Sequence, residues 1–190
     1  MLSRALPLVS PKLLPIQLGI SVSARTEKIF HKVCSQLNTA APDHQNLLLL
    51  DLKNAFNSIE RSAILDAIYK YCPMLLRWFA WSYGVPSKLS FGEFTVLSKQ
   101  GVQQGDPLGS FLFAISIQDC IMAVHSLPGV VWSGWYADDG TIQAPLPILD
   151  RALAVLATSL SACNIAINPI NPNIPIKSKI VTQSLMNVNL

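Results

Sequence analysis

The chain has 190 residues, of which 51% are hydrophobic and only 13% are charged, against roughly 25% charged residues in an average soluble protein. This length allows one domain with a substantial core, and no apolar run approaches the ~20 residues that a membrane-spanning helix needs. The formal net charge of +3 is compatible with an anionic partner. The four cysteines form no Cys-x-x-Cys pair and complete no familiar zinc pattern, which favours buried free thiols.

The first half of the chain is predicted to contain two helices and a buried strand. Three prolines between residues 7 and 15 interrupt the N-terminal apolar stretch, so we expect extended chain there, with a targeting segment as the alternative. TEKIFHKVCSQL, residues 26–37, has the apolar spacing of a helix. NLLLLD follows the turn residues APDHQ and predicts a strand buried on both faces that ends at Asp51. SAILDAIYKY, residues 62–71, returns to helical periodicity.

The second half is predicted to contain a glycine-rich loop with short strands, two helices and a β-hairpin. An apolar helix begins near Ser110. VVWSGWYADDGTIQA contains two extended runs that flank Asp138, Asp139 and Gly140, which is a hairpin signal. PLPILDRALAVLATSL has helical periodicity, and the NPINPNIP segment after it is rich in turn residues. This order of elements predicts an α+β fold rather than a regular βαβ series.

Three carboxylates stand out in a chain with so few charges. If the strand that ends at Asp51 is a neighbour of the hairpin that carries Asp138 and Asp139, the three side chains converge. Anions at close range raise one another's pKa unless a cation neutralises them, and such oxygen ligands suit Mg²⁺ or Mn²⁺ rather than zinc. Two ions about 3.5–4 Å apart can stabilise both the attacking and the leaving oxygen of a phosphoryl displacement. Simpler explanations also exist, because Asp-Asp-Gly is common turn chemistry and Asp51 could cap a helix.

The loop KQGVQQGDPLG, residues 99–109, lies between these segments. Its glycines allow the backbone to approach a base pair or a sugar, although a loop before a helix capped by Ser110 is the simpler explanation for this stretch alone. LLLLDLKNAFNSIE, GVQQGDPLGSFLF and WYADDG, in this order, resemble three successive motifs of reverse transcriptases, above all those of non-LTR (LINE-type) retrotransposons. The linker from YGVPSKLSFGEF onward and the upstream LPIQLGISVSARTEKIFHKV resemble the same family, so the resemblance covers residues from about 12 to about 171.

The resemblance implies the fold of a right-hand polymerase palm, an antiparallel sheet with helices packed on one face, together with partial fingers. We therefore expect residues 1–190 to form a single reverse transcriptase-like domain. Its expected parts are partial fingers at 12–45 and 72–100, palm at 46–71 and 101–171, and an irregular tail at 172–190.

The resemblance also implies the activity of an RNA-directed DNA polymerase. In that reaction a primer 3′-hydroxyl attacks the α-phosphate of a dNTP, and pyrophosphate leaves. Asp51, Asp138 and Asp139 would be the catalytic, metal-holding residues. Asp51 and Asp138 would hold two Mg²⁺ or Mn²⁺ ions, with Asp139 as an accessory carboxylate.

Several further positions are implied to contact the nucleotide or the primer. Phe56 would pack under the deoxyribose and exclude a 2′-hydroxyl, while its alternative role is that of a core aromatic. Positions expected to face the incoming nucleotide are Leu52, Lys53 and Asn54, through their backbone, and Gln104 and Gly105. Those expected to touch the primer end are Tyr136 and Ala137.

The sequence departs from the family pattern at two basic positions. Leu14 stands where an arginine is usual, and Asn171 stands where a lysine is usual. Whether Lys12, or Lys177 and Lys179, replace those charges is left open. General acid catalysis of the kind such a lysine gives contributes about 10²–10⁴-fold, so the departure at Asn171 predicts a slow enzyme.

The expected partners are an RNA template, a DNA primer and dNTPs, with no membrane. We also expect a larger polyprotein with further domains, a thumb and an endonuclease, which this chain lacks, and the truncated chain could be inactive. An element that copies itself into chromosomes must reach DNA, which favours the nucleus. Two alternatives stay open: a catalytically impaired palm remnant that keeps nucleic-acid or protein binding, and a viral RNA-copying polymerase, a class in which Gly-Asp-Asp is more usual than Tyr-Ala-Asp-Asp.

Overall fold

The computed structural model describes residues 2–20, 25–39, 46–103, 105–170 and 178–182. The helices are α1 (Leu2–Leu13), α2 (Arg25–Thr39), α3 (Ala55–Ser58), α4 (Arg61–Tyr71), α5 (Leu76–Tyr83), α6 (Gly109–His125) and α7 (Leu146–Ser161). The strands are β1 (Leu47–Lys53), β2 (Ser87–Phe91), β3 (Phe94–Ser98), β4 (Trp132–Tyr136), β5 (Asp139–Gln143), β6 (Ala166–Ile167) and β7 (Lys179–Val181). None of the helices in these ranges combines the length and the hydrophobicity needed to cross a bilayer.

The central feature is an antiparallel sheet in which β1 is the middle strand. β1 pairs with β5 along one edge and with β7 and then β6 along the other, while β4 lies outside β5. Cross-strand partners share a face of a sheet, so Leu50, Gly140 and Trp135 lie on one face and Asp51, Asp139 and Tyr136 on the other. The first face is buried against the helices, and the carboxylates lie on the opposite face. The expected α+β fold is confirmed.

The core is organised around α6. Most of its residues are buried, so this helix is apolar on nearly all sides, as expected for a helix surrounded by other elements. It packs against α1, α3, α4 and α7. Its first residue follows the glycine-rich loop, which places that loop beside the sheet edge that carries the carboxylates.

The N-terminal segment is a helix, so the expectation of extended chain there is wrong. A proline inside a helix costs about 3 kcal/mol, and α1 contains Pro7 and Pro11. The helix nevertheless buries Ala5, Val9 and Leu13, which lie four residues apart on one face. This face packs on α6, where the Gln118 side-chain amide donates to the Lys12 carbonyl at 2.9 Å. Tertiary burial therefore outweighs the local cost of the prolines.

Three predicted boundaries also need correction. β1 continues through Asp51 to Lys53, because its last two residues pair with β6. α6 begins at Gly109, so Ser110 lies in its first turn and does not cap it. Within the tail expected to be irregular, Lys179–Val181 forms β7, which is held by pairing with β1.

Candidate active site

The three carboxylates meet at one end of the sheet. Asp51 on β1 and Asp139 on β5 are direct cross-strand partners. Asp138 lies in the turn between β4 and β5, and its side chain is half-buried. The strand that ends near Asp51 is therefore a neighbour of the hairpin, as the convergence of the three carboxylates requires. Asp51 is nevertheless far from Asp138 and Asp139 in the sequence. The turn lies earlier than predicted: it consists of Ala137 and Asp138, and Asp139 is the first residue of β5.

Burial dominates the electrostatics of this cluster, and repulsion between the carboxylates adds to it. Burial raises the pKa of Asp138, a backbone hydrogen bond lowers it in part, and the charge of Asp51 makes the smallest contribution, which raises it. Burial likewise raises the pKa of Asp139, with repulsion from Asp138 and from Asp51 adding to it. Such a cluster gains from a bound cation, because a cation removes the repulsion.

The cluster is not a closed metal cage. In the part of the chain that the structure describes, no group of three or more His, Cys, Asp or Glu side chains is placed to hold a metal ion by itself. Mg²⁺ often binds through only one or two carboxylates, with waters and substrate phosphates completing its shell. Asp51 and Asp138 supply two carboxylates at the same end of the sheet, which fits a Mg²⁺ site whose remaining ligands come from waters and substrate.

Asp51 is oriented by two residues that the sequence analysis did not single out. The Asn168 side-chain amide donates to Asp51 Oδ2 at 2.6 Å, and the Asn168 backbone N–H donates to the Asp51 carbonyl at 2.9 Å. The Asp51 backbone N–H donates to Ser178 Oγ at 3.1 Å. Asn168 thus fixes one of the two carboxylate oxygens of Asp51. Asn168 is the first residue of the turn-rich NPINPNIP segment, and no local sequence signal links it to Asp51.

The turn that carries Asp138 is held by hydrogen bonds to Gln17, which lies 120 positions away in the sequence. Ala137 has φ 53°, in the left-handed region that alanine rarely adopts. The fully buried Gln17 side chain accepts the Ala137 N–H at 3.0 Å and donates to the Ala137 carbonyl at 3.2 Å. Gly19 packs so closely that a Cβ there would lie 2.6 Å from the Ala137 nitrogen. No local sequence signal links Gln17 to this turn.

A cleft of about 380 Å³ lies beside the turn. Asp138, Phe56, Asn54 and Gly105 are among the residues that line it. The Phe56 ring stacks on the buried Phe113, with 4.3 Å between ring centroids and an interplanar angle of 24°. Phe56 is therefore both a partly buried aromatic at the edge of the core and a wall of the cleft that contains Asp138.

The glycine-rich loop supplies the opposite wall of this cleft. Gly105 has φ 87°, and a Cβ at that position would meet nothing within 4 Å, so the backbone is open to the cleft. Gln104, expected beside it, lies outside the described residues. Asn54 adopts φ 48° at the end of β1, and its carbonyl accepts N–H groups from the first turn of α3.

The remaining predicted positions divide between core and surface. Leu52 is buried with its backbone in the ladder to β6, and Lys53 is exposed. Tyr136 is exposed and is the cross-strand partner of Asp139, so it shares the face of the carboxylates. Leu14 is exposed.

The candidate replacement lysines lie in different places. The Lys12 ammonium is 5.9 Å from the Tyr71 ring centroid, beside α4 and away from the cleft-lining end of α6. Lys179 pairs with Leu49 in β1, two residues before Asp51, and so lies on the carboxylate face. Asn171 and Lys177 lie outside the described residues.

Two curated proteins are similar in sequence to this chain, while no protein-family model matches it. The retrotransposable element SLACS 132 kDa protein of Trypanosoma brucei gambiense is 30% identical in an alignment of 176 residues that covers 88% of this chain and 14% of that protein. The retrovirus-related Pol polyprotein from the type-1 retrotransposable element R2 of Bradysia coprophila is 31% identical in an alignment of 135 residues that covers 65% of this chain and 16% of the polyprotein. The chain thus spans only a small part of the length of these relatives.

Two solved telomerase structures share the fold. The telomerase of Candida albicans, in complex with a TWJ fragment of telomeric RNA, superposes with a TM-score of 0.55 at 14% identity, over 96% of this chain and 33% of that one. The apo telomerase of Candida tropicalis, truncated from its C-terminal domain, has a TM-score of 0.55 at 12% identity, over 95% of this chain and 40% of that one. At such low identity the likeness concerns the fold alone, and that fold is the polymerase palm.

Proposed function

From the premise that this chain is a reverse transcriptase-like domain homologous to proteins of non-LTR retrotransposons, we propose that it is an RNA-directed DNA polymerase domain. Its substrates would be dNTPs, an RNA template and the 3′-hydroxyl of a DNA primer. The observation that carries this proposal is the position of Asp51 and Asp138 at the same end of the sheet, where Asp138 lines a cleft that Phe56 and Gly105 also line.

The two carboxylates fit a pair of Mg²⁺ or Mn²⁺ ions completed by the dNTP phosphates. When bound, the ions supply Lewis-acid activation of the attacking hydroxyl and neutralise charge on the leaving group. The protein's own task is positioning, which dominates catalysis of phosphoryl transfer. Asn168 orients Asp51, Gln17 fixes the turn that projects Asp138, and Asp139 adds negative charge from the next position.

Phe56 gives the cleft a means to select the sugar. Its ring is immobilised against Phe113 and lines the cleft that Asp138 also lines. A 2′-hydroxyl on a nucleotide in this cleft would meet a rigid aromatic edge, which excludes ribonucleotides by steric conflict.

A second candidate function is that of a catalytically impaired palm that keeps only nucleic-acid or protein binding. The observation in its favour is Leu14, an exposed apolar residue in a position where the resemblance predicts an arginine. This candidate predicts binding of a template–primer duplex without extension.

Primer extension tests the first proposal against the second. The purified 190-residue chain is incubated with a DNA primer on an RNA template, dNTPs and Mg²⁺ or Mn²⁺, beside an Asp138→Ala control. We expect extension that the control lacks. Extension that is equal in both proteins, or duplex binding with no extension in either, contradicts the polymerase proposal.

The same assay tests the role of Phe56. Phe56→Val opens the cleft while keeping an apolar side chain, so we expect the preference for dNTPs over rNTPs to fall by about tenfold or more, the equivalent of about 1.4 kcal/mol. An unchanged preference in a variant that still extends primers would assign Phe56 to the core only.

A further inference from the structure

The glycine-rich loop is fastened to the cleft wall at its first residues. The Gly101 N–H donates to the Ile59 carbonyl at 2.8 Å, and the Val102 N–H donates to the Phe56 carbonyl at 2.8 Å. Gly101 has φ 73°, and a Cβ there would lie 2.5 Å from the Asn57 carbonyl oxygen, so only glycine fits. The loop therefore starts in fixed register with the Phe56 backbone.

Further along the loop, one buried hydroxyl makes the next attachment. Tyr83, at the end of α5, accepts the Gln103 backbone N–H at 3.1 Å and donates to Asp106 Oδ2. The other Asp106 oxygen accepts the Leu108 N–H at 2.8 Å, just before α6 begins. Gln103 and Asp106 are thus both hydrogen-bonded to the Tyr83 hydroxyl oxygen.

Two residues contact the Tyr83 ring and hold its hydroxyl in place. Tyr83 stacks on Phe79 with 5.0 Å between centroids, and the Arg61 guanidinium lies 5.1 Å from the Tyr83 centroid. Arg61 also donates through Nε to the Gly101 carbonyl at 3.2 Å. Burial, with the hydrogen bond to Asp106, raises the pKa of Tyr83 to about 12, so the hydroxyl keeps its proton and can donate throughout the neutral range.

We propose that Tyr83 is a positioning residue of the nucleotide cleft, whose hydroxyl sets how closely Gly105 approaches an incoming dNTP. The inference rests on the proposed polymerase function, because it names the ligand of that same cleft. Gln103, Gly105 and Asp106 all line the cleft, so a shift of the loop changes its width directly. Tyr83 acts only through these residues and does not touch the ligand.

The test compares two tyrosine hydroxyls in the full chain. Tyr83→Phe removes the bridging oxygen but keeps the ring stack, and Tyr71→Phe is the matched control. The Tyr71 hydroxyl also donates to an aspartate, Asp119, but that pair lies on the exposed side of α4 and α6. Equilibrium dialysis with radiolabelled dTTP and Mn²⁺ gives Kd, and primer extension gives KM and kcat. Amide hydrogen exchange reports on the loop over residues 101–108.

We expect Tyr83→Phe to raise Kd and KM for dTTP about tenfold, with kcat changed less than about threefold. Tenfold corresponds to about 1.4 kcal/mol, the range of a hydrogen bond to a charged group. Exchange over the loop should rise, while Tyr71→Phe should match the wild type in all measurements. Equal Kd and KM in the two variants overturns the inference, even if loop exchange rises, because the hydroxyl would then have a purely structural role.

The outcomes also separate this inference from the polymerase proposal. If the wild type binds dTTP but extends no primer, the polymerase proposal fails, and the Kd comparison still decides the role of Tyr83. If the wild type binds no dTTP, the inference fails because the cleft does not take that ligand. If the wild type extends primers and Tyr83→Phe does so with an unchanged KM, only the inference fails.

Discussion

The molecule contains two β-hairpins of the same size that serve opposite purposes. β2–β3 and β4–β5 each join two five-residue strands through a two-residue turn, Gly92–Glu93 in the first and Ala137–Asp138 in the second. Both turns begin with a left-handed residue and continue with an acidic one. They differ in what surrounds them, and that difference separates an exposed ribbon from a candidate active site.

The surroundings of the two hairpins are nearly opposite. On β4–β5, Trp135 and Ile142 are completely buried against the helices. On β2–β3, Phe91 and Phe94 are 80% and 74% exposed. An element with few buried contacts can move and adapt, whereas a buried one holds its side chains in one geometry. Only the second kind can present a carboxylate in a fixed position.

The turns show how that fixed position is obtained. Gly92 adopts φ 58° with open space around it, so its turn needs no support. Ala137 adopts nearly the same φ with a side chain, at a cost of about 1–2 kcal/mol. The two hydrogen bonds between Gln17 and the Ala137 backbone offset this cost and lock the turn. A strained turn held by a distant residue is a common device at functional sites.

The largest expected effect contrasts the acidic residues of the two turns. Asp138→Asn should reduce primer extension by about 10³-fold or more, equivalent to about 4 kcal/mol, because the amide removes a negatively charged metal ligand. Glu93→Gln makes the corresponding change in the exposed hairpin and should leave extension within about twofold of wild type. Steady-state extension rates give both values. Similar losses in the two variants would remove the functional distinction between the hairpins.

The next effect concerns Gln17 and its two hydrogen bonds to the Ala137 backbone. Gln17→Met keeps the side-chain volume but leaves the Ala137 N–H and carbonyl without their partner, so we expect a loss of about 2–3 kcal/mol in unfolding free energy. Gln118→Met is the matched control, since Gln118 is also a buried glutamine but makes one side-chain hydrogen bond, to the Lys12 carbonyl. It should cost about 1 kcal/mol or less.

Urea denaturation measures both variants, and extension per folded molecule separates their roles. Activity should fall in Gln17→Met at temperatures where the protein remains folded, and it should stay unchanged in Gln118→Met. Equal stability losses and equal activity in the two variants would mean that Gln17 is an ordinary core residue.

Exchanging the turn residues gives smaller effects of opposite sign. Gly92→Ala introduces a side chain at positive φ and should lower the unfolding free energy by about 1 kcal/mol. Ala137→Gly relieves the same strain but adds freedom to the unfolded chain, so a net gain of about 0.5 kcal/mol is expected. Thermal unfolding of both variants measures the difference. A loss of stability in Ala137→Gly would show that Gln17 and Gly19 remove the strain entirely.

The smallest effect is a pH dependence from the half-buried Asp138 carboxylate. Burial raises the pKa of Asp138 in the folded state above its unfolded value of about 3.9. Between these two pKa values the folded state binds more protons than the unfolded one, so stability falls as pH rises through that window and stays lowered above it. Asp138→Asn removes this penalty.

Unfolding temperatures recorded from pH 3 upward provide the test. The Asp138→Asn variant should unfold at a higher temperature than the wild type at neutral pH, and the gap should close as the pH falls below about 4. A variant that is less stable than the wild type at neutral pH would mean that its lost hydrogen bonds outweigh the relief of burial.

The features that could be predicted from the sequence were those with a local signal, either periodic apolar spacing or a recognisable motif. Apolar spacing predicted β1, α4 and α7. The ordered motifs predicted that Asp51 and Asp138 lie at the same end of the sheet, where the structure has them. The turn was placed too late because glycine usually marks a hairpin turn. Gly140 is instead required opposite Trp135, whose ring would lie 2.6 Å from a Cβ there. A rule based on local turn residues cannot predict that Gly140 is needed to leave space for the Trp135 side chain on the neighbouring strand.

Other features were hidden because they depend on contacts between distant segments. α1 forms despite its prolines through burial on α6, and no local propensity expresses that gain. Gln17 and Asn168 act on residues more than a hundred positions away. Polar side chains of this kind look like ordinary core or turn residues until the fold places them beside an aspartate.

Manganese binding measured by electron paramagnetic resonance tests the central claim most directly, namely that Asp51 and Asp138 share a cation. The full chain is titrated with Mn²⁺ in the presence of a dNTP, beside Asp51→Asn, Asp138→Asn and the surface control Asp119→Asn, whose carboxylate pairs with Lys70. The account predicts bound Mn²⁺ in the wild type and in the control, and at least a tenfold weaker affinity in each of the other two variants, a loss of about 1.4 kcal/mol. Equal Mn²⁺ affinity in all four proteins would contradict it.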